Sequence, residues 1–346
     1  MYIQGIGIVS PWTGHGAEPL IKDDHFVIAD PEYKRWIDLQ QIRRMSRVVK
    51  MGVAAAHMSL EEADIKLPDA IITGTAYGCL ADTGIFLQKM VTQKEEMLAP
   101  TAFIQSTHNT LGGQIALKLS CHGYNNTFVH GNTSFESALL DTQFYLTENP
   151  SARVLTGSAD EITPISHNIL SRLRRYKRKP VTPSQLLDTA TIGCMGGEGS
   201  AFFVLQGMKD DHSVAELKGS EMIFRKLNPE QSLQAIIDFL KKNELNPTEL
   251  SLLITGRNGD IRDDYQYEFA ENSIFKNLPK AAFKHLCGEY PTASSFAMGI
   301  AARAIQTGQL AHEMLYSGLP PKEIKNILIW NAQTNKRHSL ILIQKC

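Results

Sequence analysis

The chain repeats itself, and that repetition limits its folding more than any single motif. Residues 252–256 (LLITG) echo residues 71–74 (IITG): each is an apolar run that ends in Thr-Gly and leads into a polar loop. Residues 283–305 follow the same order as residues 125–146, with a short strand, a glycine corner, small polar residues and a long helix. Residues 327–331 and 339–343 then stand to the second half as residues 153–156 and 201–205 stand to the first. A strand–helix unit that occurs twice buries its apolar faces against its own copy. The expectation is therefore an α/β body of two pseudo-repeated halves, residues 1–207 and 208–346, packed as a pseudo-dimer. Such packing brings two helix N-termini toward one shared site.

Within the first half, residues 125–146 (NNTFVHGNTSFESALLDTQFYL) carry the clearest chemical suggestion. Thr127, Phe128 and Val129 read as a strand, His130-Gly131 as a corner, and Phe135, Ala138, Leu139, Leu140, Phe144 and Leu146 as the apolar face of a helix. A helix N-terminus favours a developing negative charge, so such corners are good seats for nucleophiles. This corner offers Asn132, Thr133 and Ser134 and no cysteine; the same three residue types are also preferred helix caps. Residues 70–75 (AIITGT) read as a strand buried on both faces of a parallel sheet, and residues 43–63 as a helix that ends before Pro68.

Other features exclude functions. With 35 basic and 36 acidic side chains, a net charge of -1 argues against general binding to nucleic acid or membrane surfaces. Five cysteines without C-x-x-C spacing suit reduced thiols in a cytoplasmic protein, and no signal peptide or membrane span is expected. Eleven histidines without H-E-x-x-H or comparable spacing give no expectation of a metal. Gly5 and Gly7 begin like a dinucleotide fingerprint, but Ser10 stands at its third glycine. Residues 171–180 (SRLRRYKRKP) hold six basic residues. They read as a solvated loop or, through Arg174, Arg175 and Lys177, as a docking patch for an acidic partner.

Taken in order, several short segments resemble the β-ketoacyl synthases of the thiolase-fold superfamily, and the likeness runs from the first strand to the last. The family's G-G-A-E turn is matched by Gly157-Ser158-Ala159-Asp160 or the adjoining Glu161. Its M-G-E-G-A segment is matched from Met195-Gly196-Gly197-Glu198-Gly199 to Leu205, and its K-x-x-x-G-H element by Lys284 and Gly288. The resemblance implies a thiolase-like fold layered α-β-α-β-α. It also implies a cysteine nucleophile at the strand–helix corner, two histidines that stabilise the enolate and oxyanion, and a supporting lysine.

Carried onto this chain, the nucleophile position falls on Asn132 and the first histidine position on Arg257, with Asn258 the neighbouring candidate. The second histidine position falls on Glu289, and Lys284 is retained. Thr133, Ser134, Glu198, Asn258 and Glu268 become the expected substrate-binding neighbours, and Arg257 is a candidate ion-pair partner for Glu289. The family's C-terminal G-F-G-G loop is shortened to Ala332-Gln333-Thr334-Asn335. Condensing activity is thus expected to be lost.

Three functions fit that pattern. One is a non-elongating subunit, similar to chain-length factors, that shapes an acyl tunnel beside an active ketosynthase in fatty-acid or polyketide (including polyene) biosynthesis. Another is an acyltransferase with altered chemistry through Thr133, Ser134, Cys121, Cys194 or Cys287. The third is a module that binds acyl carrier protein. None requires a cofactor beyond the carrier's phosphopantetheine arm. A dimer with an active ketosynthase or with itself is expected, joined along residues 126–130.

Overall fold

The computed structural model describes residues 1–98, 100–179, 181–333 and 336–346. Eleven strands form one sheet: β1 (Tyr2–Val9), β2 (Ala70–Gly74), β3 (Tyr124–Phe128), β4 (Arg153–Asp160), β5 (Gly199–Gln206), β6 (Ala215–Ile223), β7 (Leu252–Thr255), β8 (Lys280–Ala282), β9 (Leu315–Ser317), β10 (Asn326–Gln333) and β11 (Arg337–Gln344). In space the first half runs β3-β2-β4-β5-β1 and the second β8-β7-β10-β11-β6, with β9 added at the outer edge. Both halves use the same directions. β2 is parallel to β3 and β4, as β7 is to β8 and β10. The remaining pairs of each five are antiparallel. The halves meet where β1 pairs with β6, Tyr2 opposite Glu216 and Ile3 opposite Ala215.

Alternation along the strands divides the core into layers. Ile72, Val154, Phe203, Ile254, Ile329 and Ile341 face one shared core with Phe135 and Ala138 of α3 (Ser134–Glu148) and Phe296 and Ala301 of α6 (Ser294–Thr307). Their chain neighbours Ile71, Leu155, Phe202 and Val204 face outward onto α1 (Arg47–Glu62) and α2 (Thr110–Leu119). On the other flank Leu253, Leu328, Trp330 and Leu342 pack against α4 (Pro229–Lys242) and α5 (Ile261–Asn272). Five layers follow: helices, strands, two central helices, strands, helices. Because α3 and α6 share one core between the halves, neither half has its apolar surface closed without the other.

Two details depart from the sequence reading. Gly5 and Gly7 serve neither turn nor nucleotide: a Cβ on either would run into the backbone of Ser59 or Ala55 in α1, so glycine allows the helix to lie directly on β1. Strand β3 ends at Phe128, leaving Val129 outside it, and it pairs on one side only, with β2.

Candidate functional site

The corner after β3 is held by its own hydroxyls. Gly131 takes φ +61, a single turn spans Gly131–Thr133, and α3 starts at Ser134. The Ser134 hydroxyl accepts from the His130 backbone N–H at 2.9 Å and donates to the Gly131 carbonyl at 2.7 Å. The Thr133 hydroxyl donates to the His130 carbonyl at 3.2 Å. Both residues are buried, and neither lines the cavity at this corner. Thr133 and Ser134, expected to contact substrate, use their hydroxyls within the turn. Asn132 is the corner residue that faces the cavity, together with Tyr77, Tyr176, Cys194, Asn258 and Glu289.

At the far side of that cavity Glu289 is a hub. Its Oε2 accepts from Lys284 Nζ at 2.7 Å and from Asn258 Nδ2 at 2.7 Å, and its Oε1 accepts from Gln333 Nε2 at 3.3 Å. The Lys284 side chain is fully buried, so its ammonium is shielded from water, while Glu289 keeps partial contact with the cavity. The backbone of Glu289 is fixed by Met195 and Gly197, which places the Met195–Gly199 turn directly beneath the site. Two acidic neighbours, Asp260 and Asp263, also line the cavity; burial first, then the charge of Glu289, pushes the Asp263 carboxyl above the usual range. The cavity holds about 140 Å³. That is well below the roughly 300–1,000 Å³ of ordinary ligand pockets. A roomier apolar cavity of about 650 Å³, bounded by Trp12, Phe296 and Ile300, lies apart and shares none of its residues.

Several residues sit elsewhere than expected. Arg257 does not meet Glu289; it grips Glu271 with two bonds, Nε to Oε1 at 3.1 Å and Nη2 to Oε2 at 2.7 Å, and lies over the rings of Tyr267 and Tyr316. The anticipated Arg257–Glu289 ion pair is therefore wrong, and Asn258 is the residue of that pair that faces the site. Its backbone N–H and that of Gly259 bond the carboxylate of Asp264, at 3.0 and 2.9 Å, which sets the loop after β7. Glu268 is exposed on α5 and does not line the cavity, and the carboxylate that Arg257 holds is Glu271, one turn further on.

Glu198 is buried but turned away from the cavity, holding Arg47 at 2.7 Å and the backbone N–H of Ile28 at 3.2 Å. In the basic run, Lys177 is not a surface cation: it is buried, and its Nζ donates to Thr191 Oγ1 and the Gly259 carbonyl, both at 2.8 Å. Arg175 is half-buried at the cavity mouth, and Arg174 is exposed. Pro180, Thr334 and Asn335 lie outside the described residues.

The sequence reading missed Glu136. It lies buried early in α3, near Ser294, Ser339 and Lys284, and burial pushes its carboxyl above the usual range. It is the one charged residue on the buried face of α3, beside Phe135, Ala138 and Leu139. Cys194 lines the cavity, but burial, followed by the charge of Glu289, raises its thiol well above the ordinary cysteine value. Burial does the same to Cys287. Neither thiol supplies a thiolate near neutral pH.

A five-layered duplicated body, with a strand–helix corner facing a lysine-bearing loop from the second half, is a thiolase-like fold. Residues 22–187 match the family model for the beta-ketoacyl synthase N-terminal domain. Similar solved structures agree over the full length. One described as the ishigamide ketosynthase/chain length factor is 18% identical, covers 100% of this chain and 98% of that chain, and superposes with TM-score 0.79. A beta-ketoacyl synthase from Burkholderia phymatum is 14% identical, with coverage of 100% and 99% and TM-score 0.75. A ketosynthase in complex with its chain length factor, from Xenorhabdus doucetiae, gives 15%, 100% and 98%, and 0.75. At these identities the likeness is one of fold. No curated protein matches the sequence.

Proposed function

We propose that this chain is a non-elongating ketosynthase-like subunit, similar to a chain-length factor, that works beside an active ketosynthase in fatty-acid or polyketide biosynthesis. The observation that carries the reading is the state of the old site. Condensation needs a thiolate to take the acyl chain and hydrogen-bond donors aimed at an oxygen that becomes negative. The corner holds an amide, Asn132. The donors opposite, Asn258, Lys284 and Gln333, are already engaged with a carboxylate, Glu289. An enolate there would meet negative charge instead of stabilisation. The cavity is also too small for an acyl chain.

What remains usable lies at the open edge. Phe128, Val129, Leu140, Phe144, Met222 and Phe224 bound a recess of about 680 Å³ beside β3. Phe144 is 61% exposed and Phe224 62% exposed. An unpaired strand beside an apolar recess suits a second sheet of the same kind, and two of the similar structures are described as pairing a ketosynthase with a chain length factor. In this reading the partner supplies the cysteine and both histidines, and acyl carrier protein delivers the chain to it. Affinity purification from the native host tests this: a cysteine-bearing ketosynthase should co-elute in a one-to-one ratio. A homodimer that turns over acyl thioesters by itself would sink the proposal.

A further inference from the structure

Away from the corner, three side chains with metal-ligating atoms converge. Asp24 and His25 sit at the short hairpin of Ile21–Lys22 and His25–Phe26, and His167 projects from the helix Pro164–Arg172. Asp24 Oδ1 lies 3.3 Å from His25 Nδ1 and 3.1 Å from His167 Nε2, and all three ligand atoms fall within 4.8 Å of one another. The His25 contact has hydrogen-bond geometry, whereas His167 Nε2 is buried without a hydrogen-bond partner although it stands against the same oxygen. A hydrogen-bonded cluster leaves that nitrogen unsatisfied; a cation between the three atoms satisfies them all.

The spacing is right for such a cation. Two ligand atoms about 2.0–2.1 Å from a tetrahedral zinc ion stand about 3.3 Å apart. The group opens onto a cavity of about 580 Å³ that also touches Thr163 and Asn168, which leaves room for water as a fourth ligand. The two rings lie 5.0 Å apart, and the outer face of His167 is covered by Tyr176 at 5.2 Å, which limits its rotation. Arg47 lines the same cavity, but its charge is taken up by Glu198 at 2.7 Å.

We propose that Asp24, His25 and His167 bind one divalent transition ion of the zinc type, with three protein ligands and one water. Imidazole and carboxylate suit zinc and its borderline neighbours better than magnesium or calcium, which prefer all-oxygen shells. The ion would clamp the hairpin to the helix whose Leu170, with Tyr176 beyond it, walls the corner cavity. The site is thus structural in placement, and it stands whether or not the chain is a non-elongating subunit.

The test uses the full chain, stripped with chelator and titrated with Co2+. One equivalent should give the intense visible absorption of a four-coordinate site, and Zn2+ should displace it. His25→Gln and His167→Gln should each weaken Co2+ binding by more than the roughly 10–100-fold typical of changes around a metal's outer shell. The exposed His122→Gln should leave it unchanged. Zn2+ should raise the melting temperature of the wild type and of His122→Gln alone. A wild-type titration with no cobalt absorption overturns the proposal, as does binding that survives in both ligand variants; either result leaves a His–Asp hydrogen-bonded cluster.

Discussion

Glu289 gathers the donors of Asn258, Lys284 and Gln333 onto one carboxylate. Removing its charged partner should therefore be costly. Lys284→Met is expected to lose about 3–5 kcal/mol, read as a lower urea midpoint, and Lys284→Met with Glu289→Leu should recover most of it. Equal midpoints for the wild type and the single variant would show that the pair does not hold the loop. Asn132→Cys places a thiol at the corner without adding a histidine to the cavity. It is expected to yield no condensation product from malonyl and acyl carrier thioesters, followed by mass spectrometry of the products; product formation would show the site to be dormant instead of dismantled.

Two buried carboxyls tie the stability of the fold to pH. Burial pushes the Glu161 carboxyl up to about 7 and the Asp264 carboxyl up to about 6. Each is therefore protonated in the folded chain at a pH where the unfolded chain has lost the proton. The stability they contribute is complete below the unfolded values, near pH 4, and is lost as pH rises through 6 to 7. Urea midpoints should fall from pH 5 to pH 7.5, and Glu161→Gln should flatten the slope. A slope unchanged in that variant would show that Glu161 does not titrate with folding.

Among the elements, β3 and α3 carry the assembly prediction. Leu140 and Phe144 lie on the exposed side of α3 beside the unpaired edge. Phe144→Glu should abolish recovery of the ketosynthase partner in pull-downs while leaving the melting temperature within about 2 °C, since it is a surface change. Retained partner would place the interface elsewhere. The sequence revealed this corner but not its details. Counting along the family pattern put the first histidine position on Arg257. However, β7 ends at Thr255, and beyond it strand alternation no longer says which of Arg257 and Asn258 turns inward. Lys177 read as part of a charged surface because composition cannot show that a loop folds back and buries one member of the run. The Asp24, His25 and His167 cluster left no spacing signal at all, since its histidines come from segments far apart in the chain.

For the whole molecule, the duplication was legible because both halves keep the same five-strand order and the same alternation of inner and outer residues. Repeated apolar periodicity is readable in the sequence because packing tolerates hydrophobic exchange as long as volume and patterning are kept. The described residues contain no helix long and apolar enough to cross a membrane. Among the basic residues near the cavity mouth, Arg174, Arg178 and Lys179 remain exposed. If carrier protein approaches there, reversing Arg174 and Arg178 should weaken its binding in a salt-dependent way, measured by titration at two ionic strengths.

The most direct test of the central claim is intact mass of the co-purified pair after incubation with acyl carrier thioester. An acyl adduct on the cysteine-bearing partner, and none on this chain, is the expected result. A stable acyl adduct on this chain, formed without the partner, would contradict it.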